Sequence, residues 1–270
     1  MIGDIDDTKA PLMEHLVELR QRLLYSVLAL VVTFFVSFYF ADEVFAFLVQ
    51  PLAKAFGGQH DAKLVYTKLY EAFFVQLKVA LFTAGFVSFP VIANQIWLFV
   101  APGLYRNEKR ALLPFLVATP VLFLSGAALA YYFVMPTAFR FFLSFENKDP
   151  VEGLSHEALP AMGDYLSLVM HMIFAFGFAF LLPVFLVLLA RVGIVSLETL
   201  VKGRRYAIVI AFAIAAVVTP PDVISQLLLA LPLVLLYEVS ILCIRLMNRR
   251  KASQPDADSA TPGTDLTASD

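Results

Sequence analysis

The sequence predicts an all-α integral membrane protein of six kinked transmembrane helices, packed into a concave shape with both termini cytoplasmic. Three observations carry that expectation. First, 60% of the 270 residues are hydrophobic and 16% are charged, against about 25% charged in ordinary soluble domains. A soluble fold of this size has no room to hide so much apolar surface. Second, the apolar residues come in long continuous runs rather than in the alternation of outer-membrane barrel strands, and a helix needs roughly 20 of them to cross a bilayer. Third, the few charges are unevenly placed along the chain. The composition excludes a soluble globular enzyme, a disordered scaffold and a disulfide-stapled secreted domain. A net charge of −2 also speaks against a nucleic-acid partner. The single Cys243 has no intrachain disulfide partner and reads as a small buried hydrophobe.

Residues 1–22 form an amphipathic segment. Leu12, Leu16, Leu19 and Leu23 fall within about 60° of one another at 100° per residue, the apolar stripe of a short helix lying in the membrane interface. Glu14 and Glu18 sit on the other side. One membrane domain, residues 23–250, follows, with spans expected at about 23–41, 73–100, 111–143, 165–190, 206–219 and 223–244. The first span is longer than the apolar region of a secretory signal and no small-x-small cleavage site follows it, so it reads as an uncleaved anchor. Pro90, Pro114, Pro120, Pro136, Pro183 and Pro232 punctuate the spans, each removing a backbone donor and favouring a kink. Bent helices pack around a concavity more readily than straight ones do. The fourteen residues of the fifth span reach only about 21 Å, short of a ~30 Å hydrocarbon core. Such a helix thins the bilayer or is shielded by neighbours, unless 203–205 and Val223 lie deeper.

Six spans put both termini on one side, together with the loops around Arg106 and Arg204. That side holds fourteen of the twenty Lys and Arg residues, so it is expected to be cytoplasmic. Two loops on the other side are long. The first, 42–72, carries a helical pattern (Val44, Phe47, Leu48, Leu52) broken at Pro51; the second, 144–164, reads as a structured cap or loop. Residues 251–270 combine Asp256, Asp258, Asp265 and Asp270 with Pro, Ser, Thr and Gly, and form a disordered acidic tail.

Several chemistries have no residues to carry them. No Gly-rich phosphate loop ends in Gly-Lys-Ser/Thr. The four histidines, His15, His60, His156 and His171, form no metal-ligand pair. No Asp lies within a span, and Ser125-Gly126 reads as small-residue helix packing rather than as a nucleophile motif. No cofactor, metal or enzymatic activity is expected. Lys78 and Arg140 lie near the outer ends of their spans and can snorkel, and Glu238 sits near the inner interface. On the cytoplasmic side, Glu18 reads from spacing alone as an i,i+4 partner of Arg22. Glu108, among Arg106, Lys109 and Arg110, reads as a solvated loop charge.

Three blocks carry a resemblance. Met13-Glu14-His15-Leu16-Val17-Glu18-Leu19-Arg20-Gln21-Arg22-Leu23 is one. Asn94-Gln95-Ile96-Trp97-Leu98-Phe99-Val100-Ala101-Pro102-Gly103-Leu104-Tyr105, followed by Glu108, Lys109 and Arg110, is the second. Thr219-Pro220-Pro221-Asp222-Val223-Ile224-Ser225-Gln226 is the third. In this order, over roughly residues 12–250, they resemble TatC, the multi-spanning subunit of the twin-arginine protein translocase. The resemblance implies an inner-membrane receptor and core subunit that binds the paired-arginine signal peptides of folded proteins. It places the signal-binding carboxylates on Glu18 and Glu108, with Phe99 and Arg20 in the recognition region and His15 and Lys109 as weaker candidates. Two fork-shaped guanidinium groups want two carboxylates held in fixed geometry; lysines match the charge but not the fork. The implied partners are signal peptides, TatA- and TatB-type single-span subunits, further copies of the chain itself and the lipid bilayer. The proton-motive force, not ATP, drives the implied transport. Gln226 matches a polar partner-contact position and Pro51 a position of importance in the first loop. Asp222 belongs to the same partner-facing group.

One position departs from the family. A Glu is common in the fourth span just before Val-Pro, where this chain has Leu181, in Phe180-Leu181-Leu182-Pro183-Val184. His171, ten residues earlier, lies about 15 Å along the helix and roughly 80° around it, so it does not compensate. Gln226 is then expected to carry more of the polar partner contact. A small-molecule secondary transporter is the alternative reading, with Glu238 as its coupling carboxylate. The scarcity of midplane charges and the lack of a visible repeat weigh against it. An intramembrane enzyme lacks nucleophile and metal signals altogether.

Overall fold

The computed structural model describes residues 6–56, 64–66, 68–104, 113–145, 147–151, 154–156, 160–219 and 222–252. Its helices are α1 (Asp6–Tyr39), α2 (Ala41–Ala55), α3 (Glu71–Leu104), α4 (Leu113–Leu129), α5 (Met135–Leu143), α6 (Met162–Ala179), α7 (Leu182–Arg191), α8 (Leu197–Val218) and α9 (Val223–Ala252). A small antiparallel hairpin, β1 (Asn147–Val151) with β2 (Leu154–His156), is the structured cap expected in the second long loop. Helix α1 packs along α3, α4 against α6, and α9 against both α7 and α8.

Five stretches are long and apolar enough to cross a membrane: His15–Tyr39, Glu71–Phe99, Pro114–Leu143, Met162–Arg191 and Val223–Arg249. Helix α8 runs 22 residues, but Glu198, Lys202, Arg204 and Arg205 crowd its first turns. Its apolar part therefore starts at Tyr206, as the sequence indicates. Helix α1 is continuous from Asp6 to Tyr39, because no Gly or Pro interrupts residues 13–39. The stripe of Leu16, Leu19 and Leu23 is exposed on it.

The surface is inside-out by soluble standards. Leu24, Val27, Leu28, Val32 and Phe35 of α1 are all exposed, since the solvent for this face is hydrocarbon. Cys243 follows the same rule and corrects the sequence reading: it is exposed on α9, where an apolar environment does not require burial inside the protein.

The interior is built from phenylalanines. Phe89 stacks on Phe123 at 3.8 Å between centroids, and Phe82 meets Phe174 edge-on at 4.9 Å. Two glycines let α4 and α6 approach this closely. A Cβ at Gly177 would stand 2.6 Å from the Phe123 ring, and one at Gly126 would strike the carbonyl oxygen of Phe176. Ser125-Gly126 is thus helix packing, as its sequence suggests.

Prolines divide two of the spans. Ahead of Pro136 the helix loosens into a π-helical turn, Ala130–Val134, in which Met135 N–H reaches back five residues to the Ala130 carbonyl. Such turns absorb the donor that proline lacks. Ahead of Pro183 the helix stops altogether: Leu181 N–H bonds Phe178 and α7 restarts at Leu182. The fourth span is therefore two helices rather than one.

Pro51 does the reverse of what its sequence context suggests. Helix α2 runs through it, and Pro51 is buried inside that helix. A proline at this place strands the carbonyl of Phe47, four residues back. Tyr131 Oη donates to that oxygen at 2.7 Å, and Tyr165 Oη donates to the next one, Leu48 O, at 2.8 Å. External donors thus let the helix continue. Elsewhere on this end, Val65 N–H donates to Pro160 O at 3.2 Å and Met162 N–H to Val65 O at 2.9 Å, tying the two long loops together. Glu71 Oε1 accepts from Gly163 N–H at 2.9 Å, joining the starts of α3 and α6.

Candidate functional site

At the other end of the bundle, the N-terminal half of α1 lies against the C-terminal half of α3. His15, Glu18 and Arg22 recur at i, i+3 and i+7, so they share one face of α1. Gln95 and Phe99, at i and i+4, share the facing stripe of α3. The two stripes meet in register: the His15 and Phe99 rings stack at 4.2 Å with 14° between planes. One turn deeper, Arg22 Nη1 donates to Gln95 Oε1 at 3.3 Å.

Glu18 sits between these contacts. Arg22 Nη2 and Nε donate to Glu18 Oε1 at 2.6 and 2.9 Å. Glu18 Oε2 lies 3.9 Å from His15 Nδ1. The Glu18 side chain is 33% exposed and that of Arg22 23%, so the carboxylate is partly withdrawn from water yet reachable from one side. The helical pair that the spacing suggests is therefore formed, and it is cross-linked to α3 as well. Chemically this is a carboxylate already holding a guanidinium fork, flanked by an aromatic stack.

The other expected residues fall in several places. Arg20 is exposed, two residues from Glu18 and so turned away from the α3-facing stripe. Glu108 and Lys109 lie outside the described residues. Gln226 donates through Nε2 to Phe212 O at 3.3 Å, linking α9 to α8. Asp222 caps α9, its Oδ2 accepting from Ser225 N–H at 2.6 Å. The other oxygen, Oδ1, and the Ser225 hydroxyl are buried with no hydrogen-bond partner among the described residues. Leu181 stands at the break before α7 and packs on Phe89, Ala93 and Phe123. His171 is exposed and bonds the Ser167 carbonyl of its own helix. None of Gln226, Asp222, Leu181 and Pro51 adjoins Glu18.

Two members of the site, Arg22 and Gln95, are absent from the residues that the sequence singles out for binding. The signal was available: the four-residue step from Glu18 to Arg22 matches the step from Gln95 to Phe99, as two packed helix faces require. Glu238 also finds its company here, pairing with Arg204 at 2.8 Å across α8 and α9. Among the described residues no group of His, Cys, Asp and Glu could hold a metal ion. Between α2, α3 and α4 lies an apolar hollow of about 360 Å³, lined by Phe47, Leu48, Phe82, Phe86, Leu124 and Tyr131 among others.

The family model described as Sec-independent protein translocase protein (TatC) matches residues 14–232. The chain belongs to the TatC family. A TatC of Magnetococcus marinus is 49% identical over 98% of this chain and 94% of its own length. The TatC of Escherichia coli strain K12 is 40% identical over 88% of each. A crystal structure described as the twin-arginine translocase receptor TatC superposes with a TM-score of 0.72 at 38% identity, covering 87% of this chain and 100% of that one. The TatC match includes Glu18, Gln95, Phe99, Glu108 and Gln226 and stops before Glu238. The candidate site falls within the matched region.

Proposed function

We propose that this TatC-family chain is the receptor and core subunit of a twin-arginine translocation complex. It binds the paired-arginine signal peptide of folded proteins at its cytoplasmic face. It then nucleates assembly of TatA- and TatB-type single-span subunits and further copies of itself, for export driven by the proton-motive force. The observation that carries this reading is Glu18: a half-withdrawn carboxylate, already in guanidinium-binding geometry, at the end of the bundle where basic residues gather. Glu108 supplies the second carboxylate, Phe99 and His15 the aromatic floor, and Arg20 and Lys109 the surrounding charge. The membrane is the inner membrane, crossed six times with both termini cytoplasmic, α8 being the fifth pass. Fourteen of twenty basic residues on one side support that orientation.

Gln226, Asp222 and Leu181, with Pro51 in the first loop, make up the partner-facing group. Here the half-buried Gln226 amide, at the α8–α9 contact, supports a polar contact. The transporter alternative finds no support, since Glu238 is held by Arg204. Photo-cross-linking from a signal peptide, with the reactive group beside its arginine pair, to the full-length chain, comparing Arg-Arg and Lys-Lys versions, tests the assignment. Contact with the Arg-Arg version that is lost in Glu18→Gln and Glu108→Gln is expected; undiminished contact in the double variant would refute it.

A further inference from the structure

The contact that holds Glu18 also occupies it. All three guanidinium nitrogens of Arg22 are engaged: Nε and Nη2 on Glu18 Oε1, at 2.9 and 2.6 Å, and Nη1 on Gln95 Oε1, at 3.3 Å. Resting on the twin-arginine reading above, we infer that Arg22 is a resident competitor that sets the affinity of the site. In the empty receptor it fills the guanidinium place at Glu18. An incoming signal-peptide arginine displaces it, and Gln95 retains it.

The exchange is physically easy for arginine and hard for lysine. Guanidinium for guanidinium conserves the charge-assisted, fork-shaped hydrogen bonds at the carboxylate. An ammonium must also evict Arg22, yet returns only a point charge with no planar fork. Both ligands meet the same eviction cost, so Arg22 weakens binding of each alike, and discrimination rests on the fork that the ligand returns. The pair being broken is weak enough to break. It is an i,i+4 contact with both side chains partly exposed, at 23% and 33%, a setting in which ion pairs contribute little. Gln95 suits the second resting place because its amide oxygen accepts from Arg22 without a charge of its own, so it does not pin the arginine.

A purely structural Arg22 would act in the opposite direction, orienting Glu18 and strengthening ligand binding. The two roles separate in a peptide-binding titration on the full-length protein in detergent micelles. The probes are a synthetic signal peptide with Arg-Arg and its Lys-Lys counterpart, and the variants are Arg22→Gln, Arg22→Lys and Glu18→Gln. Arg22→Gln is expected to bind the Arg-Arg peptide about two- to fivefold more tightly, the size of one weak helical ion pair that no longer needs breaking. Its gain for the Lys-Lys peptide is of the same size, because the same pair no longer needs breaking. Arg22→Lys lies between parent and Arg22→Gln, and it decides the matter alone if Arg22→Gln does not fold: tighter binding of both peptides than the parent supports the inference, parent-like or weaker binding overturns it. Weaker Arg-Arg binding by Arg22→Gln would make Arg22 a positioning residue and overturn the competitor role, leaving the Glu18 site standing. Parent-like binding of both peptides by Glu18→Gln would instead refute the site itself.

Discussion

Tyr131 donates its hydroxyl to the one backbone oxygen that Pro51 leaves without a helical partner, that of Phe47, at 2.7 Å. The same two side chains stack face to face, 4.4 Å between centroids and 8° apart. A residue of the third span thereby completes a helix of the first loop, and the two together form part of the wall of the apolar hollow.

Tyr131→Phe keeps the stack and removes the donor. It is expected to lower unfolding stability in detergent by about 1 kcal/mol, the cost of a part-buried carbonyl left unpaired. In a Pro51→Ala background the helix supplies its own donor to Phe47, so the same substitution should cost less than half as much. Equal costs in both backgrounds, measured as a double-mutant cycle, would break the link between Tyr131 and Pro51.

The α4–α6 crossing predicts a graded series at three glycines. At Gly126 a Cβ meets the backbone carbonyl of Phe176, which cannot turn aside; at Gly177 it meets the Phe123 ring; at Gly85 it stands an ordinary 3.4 Å from Phe174. Gly126→Ala should therefore cost most, about 2–3 kcal/mol of overpacking, Gly177→Ala less, and Gly85→Ala little or nothing. Thermal midpoints of the three purified variants check the order.

Glu238 and Arg204 pair at 2.8 Å with each side chain about half exposed, 44% and 45%. Screened pairs of this kind contribute about 0–1 kcal/mol. Glu238→Gln is expected to leave export of a twin-arginine reporter within about twofold of the parent, as a structural pair of that size allows. A loss of a hundredfold or more would revive a coupling role for this carboxylate.

Gln226→Leu removes the bond to Phe212 O that links α9 to α8. Cross-links from α8 and α9 to a TatA-type subunit should fall, together with export, while the variant remains inserted. Intact cross-linking and export would show that Gln226 does not compensate for the leucine at 181.

How much of this was legible beforehand depends on which residues carried the information locally. The helices at 23–41, 73–100 and 223–244 follow from apolar runs long enough to span hydrocarbon, and α8 begins its apolar part at Tyr206 as read. Pro51 and Pro183 mislead in opposite directions. The first sits inside a helix that donors from other helices repair; the second stops a helix that looked continuous. A proline removes one hydrogen bond in either case, and only the neighbouring groups decide whether something replaces it.

Composition and order of apolar runs by themselves determined a helical membrane protein, and three short blocks determined its TatC membership, because bilayer thickness and motif order are properties of the chain alone. Tertiary structure decided what Glu18 faces. The Glu18–Arg22 step was visible in one helix, but its cross-link to Gln95 and the His15–Phe99 stack join residues more than seventy positions apart. No local periodicity encodes which face of α1 meets which face of α3; packing chooses it, and with it the geometry that receives an arginine.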